Sequence, residues 1–380
     1  MQKQLTQKIV MPSLVPGSLL AKNGIKKDWQ DNPSDWNDIR KDCPANSIAL
    51  YAAHSADYTS YDNLGFTATC TGGYKVYIDG NVYGSYASGS TCNITWSTSG
   101  ITTGDDITTP SALKAHKIWI EPATNGENIT AFHCDRVAAS GQEQQGLLWA
   151  HFNISNSIDA DYMFGNSDNS FKQQVLQAIT AKNNTLKLDT RSAYAIVRGC
   201  FSLTYLPVID GPNNTLEAFQ AFADCYTLPN INVKNFKPSG LRAAFRNARA
   251  LNKVPQGIDY SNVIRMGDFL TNAVSLEDTI LDVSDATALK DIGCYGTSQY
   301  FMSGFKGLRV SNQAPFDYTT SPQINVSYTG MDRAALVQLF NDLPSVSDGQ
   351  AIDITGCTGT PDLNNDDKNI AVNKGWTITS

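Results

Sequence analysis

The sequence predicts a multidomain chain of β and α/β character. An extended N-terminal arm (1–45) leads into an antiparallel β-sandwich (46–155), a linker with a capping helix (156–182) and a capped repeat solenoid (183–380). Three observations carry this division. A short pattern recurs between residues 189 and 356, hairpin signals cluster between 47 and 154, and the first 45 residues follow no regular hydrophobic period.

The chain has 380 residues, 41% hydrophobic and 17% charged, which suits a soluble protein of two or three domains. Its net charge of -7 argues against a nucleic-acid partner, which needs a basic face, and leaves sugars and proteins. No stretch approaches the roughly 18 apolar residues of a membrane helix, so membrane insertion is not expected. Residues 1–10 lack the apolar core of a secretory signal, so an export route is not expected either.

In the arm, Met11, Leu14, Val15, Leu19 and Leu20 are interrupted by Pro12, Pro16 and Gly17 and fit neither helix nor strand. Such a segment either finds its core on another chain or drapes over its own β domain. Asp28, Asp31, Asp35 and Asp38 imitate a metal loop, yet the intervening Pro33 and Trp36 and the missing glycine turn favour a capped helix at 34–39.

From 47 to 154 the pattern is β. Tyr74, Val76 and Ile78 alternate up to Asp79-Gly80-Asn81, and Val82 to Ala87 continue beyond it, a strong hairpin signal. Asn125-Gly126, between 117–120 and 129–133, predicts a second hairpin. With 67–70, 92–96 and 147–154 this gives about seven short strands, enough for a sandwich. Trp96, Trp119 and Trp149 are read as its core, with exposed sugar stacking as the alternative use of such residues. A polar linker at 155–170 then precedes an amphipathic helix at 171–179, expected to cap the first repeat.

Each repeat carries an apolar residue, then Cys or Ala three positions on, then Leu. The copies are Val197/Cys200/Leu203, Phe222/Cys225/Leu228, Phe245/Ala248/Leu251 and Leu270/Ala273/Leu276, whose starts are 25, 23 and 25 residues apart. Apolar spacings of three and four in 215–225 and 240–250 predict short helices, stopped by Pro207, Pro229 and Pro255. Short strands follow, aligned as one column at 186–189, 208–210, 231–233, 258–260, 281–283, 324–326 and 352–354. Period-two alternation sends their aliphatic residues inward and Asp210, Asn232, Asp259, Asp282, Asn325 and Asp353 outward. That ladder is either a solvated face or a ligand-facing strip, and these six are the candidate ligand-binding residues. Segments 331–343 and 366–376 are expected to cap the far end, the last helix starting from Asn364 or Asn365 and ending at Gly375.

The chemistry-bearing motifs are thin. The eight cysteines show no metal spacing. Cys200 and Cys225 occupy positions filled elsewhere by alanine, so they are expected as small buried fillers, and Cys70 and Cys92 are expected to stay reduced. His116, His133 and His151 fall in or beside strands without an acidic or cysteine partner at a diagnostic spacing, and no hydrolase, phosphate-loop or metalloprotease motif occurs. No catalytic residue, metal site or cofactor is therefore assigned. A carboxylate pair for glycoside hydrolysis would meet only in the fold.

Ala221-Phe222, Cys225, Leu228-Pro229 and Ile231 resemble the bacterial surface leucine-rich repeats of the BspA type, and Ser261-Asn262-Val263 with Met266 is similar to a related surface repeat. The ending, from Ile352 to Thr379, resembles the closing repeat of such proteins from gut Bacteroidetes and their phages. The resemblance covers about half the chain, is specific to repeat class, and departs from the pattern between 276 and 301. It implies a leucine-rich-repeat-like α/β solenoid that binds on a repeated face. Taken with the missing export route, it leads to the expectation of a non-enzymatic virion protein of a crAss-like Bacteroidetes phage, a tail or head fibre. Its partners would be other virion proteins through the arm and a host surface glycan or protein, in a homo-oligomer, trimer before dimer. A bacterial surface adhesin is the second reading and a capsule depolymerase the third.

Overall fold

The computed structural model describes residues 36–55, 62–101, 104–107, 113–134, 146–165, 175–189, 193–212, 216–316, 322–347 and 349–380. Within them the protein is mostly β, with several sheets, some of them parallel, and two short helices.

The first ten strands are β1 (Ser47–Ser55), β2 (Asn63–Thr69), β3 (Tyr74–Ile78), β4 (Asn81–Tyr86), β5 (Thr91–Thr95), β6 (Asp105–Ile107), β7 (Leu113–Pro122), β8 (Ala131–His133), β9 (Leu147–Asn153) and β10 (Ala178–Ala181). One sheet has the order β10-β9-β1-β7-β3-β4, with β6 on β7, and a smaller one has the order β5-β2-β8. The β3–β4 hairpin forms as expected. Asp79 and Gly80 both take positive φ, 48° and 82°, the twist a two-residue hairpin turn requires. The second expected hairpin does not form. Ile118 and Ile120 of β7 are registered against β1 and β3, whereas β8 pairs with β2, so the Asn125-Gly126 segment crosses between the sheets.

Strand β1 escapes a period-two reading because eight of its nine residues are buried. Ile48, Leu50 and Ala52 face the space between the two sheets. Ala49, Tyr51 and Ala53 face outward, where Trp36, Ile39 and Cys43 cover them. The described end of the arm thus drapes over its own sheet. The metal-loop position Asp38 is not in a helix: 36–43 is a run of turns in which Arg40 clamps Asp38 through Nε and Nη2 at 2.9 Å. Arm residues 1–35 lie outside the described residues.

The remaining strands are β11 (Thr185–Lys187), β12 (Val208–Asp210), β13 (Leu216–Glu217), β14 (Val233–Lys234), β15 (Pro238–Gly240), β16 (Arg265–Met266), β17 (Thr279–Val283), β18 (Asp291–Gly293), β19 (Phe305–Val310), β20 (Ile324–Asn325), β21 (Ala351–Asp353) and β22 (Thr377–Thr379). They stack in parallel as β11-β12-β14, β17-β19 and the long ladder β13-β15-β16-β18-β20-β21-β22. The single column of strands expected from the sequence is therefore divided among three sheets.

The arcs between strands are not the expected helices. In each arc alternate N–H groups leave the chain for the next coil: Val197 to the Ala221 carbonyl at 3.0 Å, Phe222 to Ala244 at 2.9 Å and Phe245 to Phe269 at 3.0 Å. Between these bonds run consecutive four-residue turns, such as Arg246 N–H to the Ala243 carbonyl and Ala248 N–H to Phe245. Two residues per arc take left-handed φ, four positions apart: Ala195 and Gly199, Gln220 and Asp224, Ala243 and Asn247, Asp268 and Asn272. A right-handed helix cannot contain them. The three-and-four spacing of buried residues is real, but it comes from a string of turns.

The described part of the expected linker, up to 165, ends in the first of these arcs, since the Tyr162 and Phe164 N–H groups donate to the carbonyls of Tyr194 and Ile196, and 166–170 lie outside the described residues. The expected first cap is partly strand: 171–174 fall outside the described residues, and 178–181 is β10, parallel to β9. One continuous core consequently runs from the two sheets into the coils. At the far end the capping helices do form, as α1 (Arg333–Asp342) and α2 (Asn365–Val372). Asn364 and Asp367 complete a reciprocal capping box on α2, and Gly375 follows at φ 91°. All eight cysteines are buried free thiols, and Cys200, Cys225, Ala248 and Ala273 share one fully buried position.

Candidate ligand-binding face

The six candidate residues do not form one ladder. Asp210 pairs with Lys234 across the β12–β14 register, at 3.1 Å, and accepts from Asn235 Nδ2 at 2.8 Å, while Asn232 is exposed two positions before that register partner. The other four are turn formers. Asp259 accepts from Ser261 N and Oγ at 3.0 and 2.6 Å, Asp282 from Ser284 at the same two distances, Asn325 from Ser327 at 3.0 and 2.8 Å, and Asp353 from Thr355 N at 2.9 Å. These are side-chain turns two residues long. The serine hydrogen bonds hold the Asp259 and Asp282 carboxyls below their ordinary range, which keeps them charged and committed to their own loops. Only Asn325 and Asp353 are direct neighbours, on β20 and β21.

A different set of residues does stack in register, on the arcs. One column runs Tyr162, Tyr194, Phe219, Arg242. Successive rings are 6.1 and 5.3 Å apart, and the Arg242 guanidinium lies 6.0 Å over Phe219. A second runs Phe201, Tyr226, Arg249. The two rings are parallel at 4.6 Å, and Arg249 is held between Tyr226 at 4.6 Å and Tyr300 at 4.4 Å. Between the columns lies a polar row in which Asn247 donates to Asp224 at 2.8 Å and Asn272 donates to Asn247 at 2.9 Å.

This face is incompletely satisfied. Among the described residues Arg246 Nε, Arg249 Nε, Asn252 Oδ1 and Asn272 Oδ1 are buried without a hydrogen-bond partner. A buried polar atom left unpaired costs about 1–3 kcal/mol, so these four are a local cost of the arcs. Where the first column reaches Gly267 it loses its side chain, and a cavity of about 310 Å³ opens there, walled by Arg242, Arg265, Asp268, Tyr295 and Gln323. Sequence reading missed these columns although the signal was present: Tyr194/Phe219/Arg242 and Phe201/Tyr226/Arg249 keep the 25- and 23-residue spacing of the repeat.

Three of the four histidines are buried and hydrogen-bonded within the sheets. His54 Nδ1 donates to the Ser55 carbonyl at 2.7 Å, and His116 Nδ1 lies 2.7 Å from Asp79 Oδ2. Their Nε2 atoms face each other at 3.2 Å, and the rings stack beneath Trp96. Both imidazoles are buried with those nitrogens turned inward, an arrangement that offers no base to a substrate. His151 Nδ1 lies 2.9 Å from the Thr180 hydroxyl oxygen. Among the described residues no group of His, Cys, Asp and Glu is placed to hold a metal, and no helix is long and apolar enough to cross a membrane.

No family model matches the chain, and no curated protein or solved structure matches it.

Proposed function

We propose that the chain is a non-enzymatic structural protein of a phage particle, in which an antiparallel sandwich continues into a leucine-rich-repeat-like solenoid with turns in place of helices. The solenoid arc binds the host cell surface. The observation that supports this reading is the pair of aromatic-to-arginine columns in register along the coils. Tyrosine and arginine dominate the energetics of binding surfaces because they combine large buried area with directed hydrogen bonds. Repetition along the coils makes the surface extended, and copies of the chain in a homo-oligomer, trimer before dimer, would multiply weak contacts. The arm and sandwich would join it to other virion proteins.

Two measurements test this. Serum against the chain should label a projection on particles released from a lysed Bacteroidetes host; label confined to uninfected cells would instead make the chain a bacterial adhesin. Purified Tyr226→Ala and Arg249→Ala variants should bind host cells about tenfold more weakly, the loss of roughly 1.4 kcal/mol each. Unchanged binding by both would remove the arc from consideration.

A further inference from the structure

The outer face of the large N-terminal sheet carries a second site that the attachment reading does not use. Alternation along β7 sends Ile118 and Ile120 into the core and Lys117, Trp119 and Glu121 outward. Trp119 was expected in the core; it is instead half-buried on this outer face, whereas Trp96 and Trp149 are fully buried. Segment 36–43 packs in one cluster with residues of β1, β6, β7, β9 and β10, against which Trp119 lies partly buried, and beside it is a cavity of about 450 Å³ lined by Asn37, Asp79, Gly80, Gly104, Asp105, Lys117 and Trp119.

Four features of this cavity have one chemistry in common. The half-buried indole of Trp119 forms part of the wall. Asp79 is held at a fixed angle by His116 Nδ1 at 2.7 Å and the Lys117 N–H at 2.9 Å, each carboxylate oxygen keeping a further lone pair. Asp105 is similarly anchored by the Asn37 side-chain amide. At Gly80 a side chain would point into open space, and at Gly104 one would strike His116 at 2.7 Å, so both walls are bare backbone. An aromatic ring lining one cavity with fixed carboxylate acceptors and bare backbone matches a pyranose. The sugar's C–H face stacks on a ring and its hydroxyls both donate and accept.

The site extends further. Tyr77 is the cross-strand partner of Trp119, on the same face, and lines a second cavity of about 410 Å³ with Lys75, Glu121 and Asn125. Directly opposed residues hold their Cβ atoms about 5 Å apart, so the two side chains serve successive sugar units. Across both cavities Asp79, Asp105, Glu121 and Glu127 outnumber Lys75 and Lys117, an electrostatic balance that disfavours an acidic sugar. We propose that this groove binds a neutral oligosaccharide, with Trp119 and Tyr77 as adjacent stacking platforms and Asp79 and Asp105 as hydroxyl acceptors.

The test titrates the full chain by calorimetry and tryptophan fluorescence with neutral hexasaccharides of glucose, mannose and xylose, and with hexagalacturonate as the charged counterpart. At least one neutral chain should bind and perturb the fluorescence. Trp119→Ala should lose about tenfold or more in affinity, and Tyr77→Ala should weaken the hexasaccharide while sparing the disaccharide. Asp105→Ala, at the rim, gives the same reading if Trp119→Ala fails to fold. Tyr226→Ala and Arg249→Ala should bind the sugar like the parent, which separates this site from the arc. Absence of binding by every neutral chain, preference for hexagalacturonate, or equal affinity of Trp119→Ala and Asp105→Ala with the parent would overturn the proposal.

Discussion

In the N-terminal region most strands are antiparallel, long enough for side-chain alternation to decide what is buried, and joined by turns such as Asp79-Gly80. In the C-terminal region the strands are parallel and as short as two residues, and the arcs add inter-coil hydrogen bonds of their own. The first arrangement specifies itself locally, through hairpins. The second is specified only by its neighbours, because a coil of this kind cannot bury its own interior face. Strand β10 joins the two, added in parallel to β9 while the Tyr205 carbonyl of the next coil accepts from Ile179 at 3.1 Å. The antiparallel sheet thus acts as a template that closes the first coil, and α1 and α2 close the last.

The sharpest way to break that picture is to cut the shared core. Phe222 and Phe245 stack in parallel at 5.3 Å in adjacent coils, both fully buried. Phe222→Ala should cost about 3–5 kcal/mol in urea unfolding. If the core is continuous, fluorescence of the N-terminal tryptophans and circular dichroism should still report one coincident transition. Tryptophans that unfold at the parent midpoint while the coils melt early would show the two regions to be independent.

Acid separates the regions differently, because all four histidines precede residue 152. Burial first, and the nearby Arg40 second, push the His151 imidazole down from 6.5 to about 4. The folded chain keeps it neutral while the unfolded chain takes up a proton below 6.5. Stability is therefore present above 6.5 and lost as pH falls towards 4, by a sum on the order of 3 kcal/mol. Urea unfolding of His151→Gln should show that much less acid destabilisation over this window than the parent. An identical pH profile would place the acid sensitivity elsewhere.

What could be read in advance follows the same division. The β3–β4 hairpin and the α2 cap were legible because their signals are local: a turn dipeptide between alternating residues, and an asparagine three positions before an aspartate. The arcs were not, because spacings of three and four describe a helix and a string of turns equally well. The column that decides between them was in view as Gly199, Asp224, Asn247 and Asn272, residue types that tolerate left-handed φ. The single Asp and Asn ladder does not form for a related reason. Asp259, Asp282, Asn325 and Asp353 each precede a Ser or Thr by two positions, the signature of a side chain that bonds to its own loop. The aromatic and arginine columns one arc away carried the repeat spacing without a polar motif to draw attention.

That left-handed column also supplies the finest test of the comparison. Asn247 combines φ 57° with a side chain that links Asp224 to Asn272. Asn247→Gly keeps the backbone geometry free of strain and removes both hydrogen bonds, so it should cost about 1–2 kcal/mol. Asn247→Ala removes the same bonds and adds the left-handed penalty of a Cβ, roughly 1 kcal/mol more. Urea midpoints in the order parent, glycine, alanine would establish that the coils depend on backbone handedness as well as on apolar burial. Equal midpoints for the two variants would mean that the arc relaxes away from left-handed φ once the ladder is gone. The side-chain ladder, rather than the turn string, would then be what keeps the arc from becoming a helix.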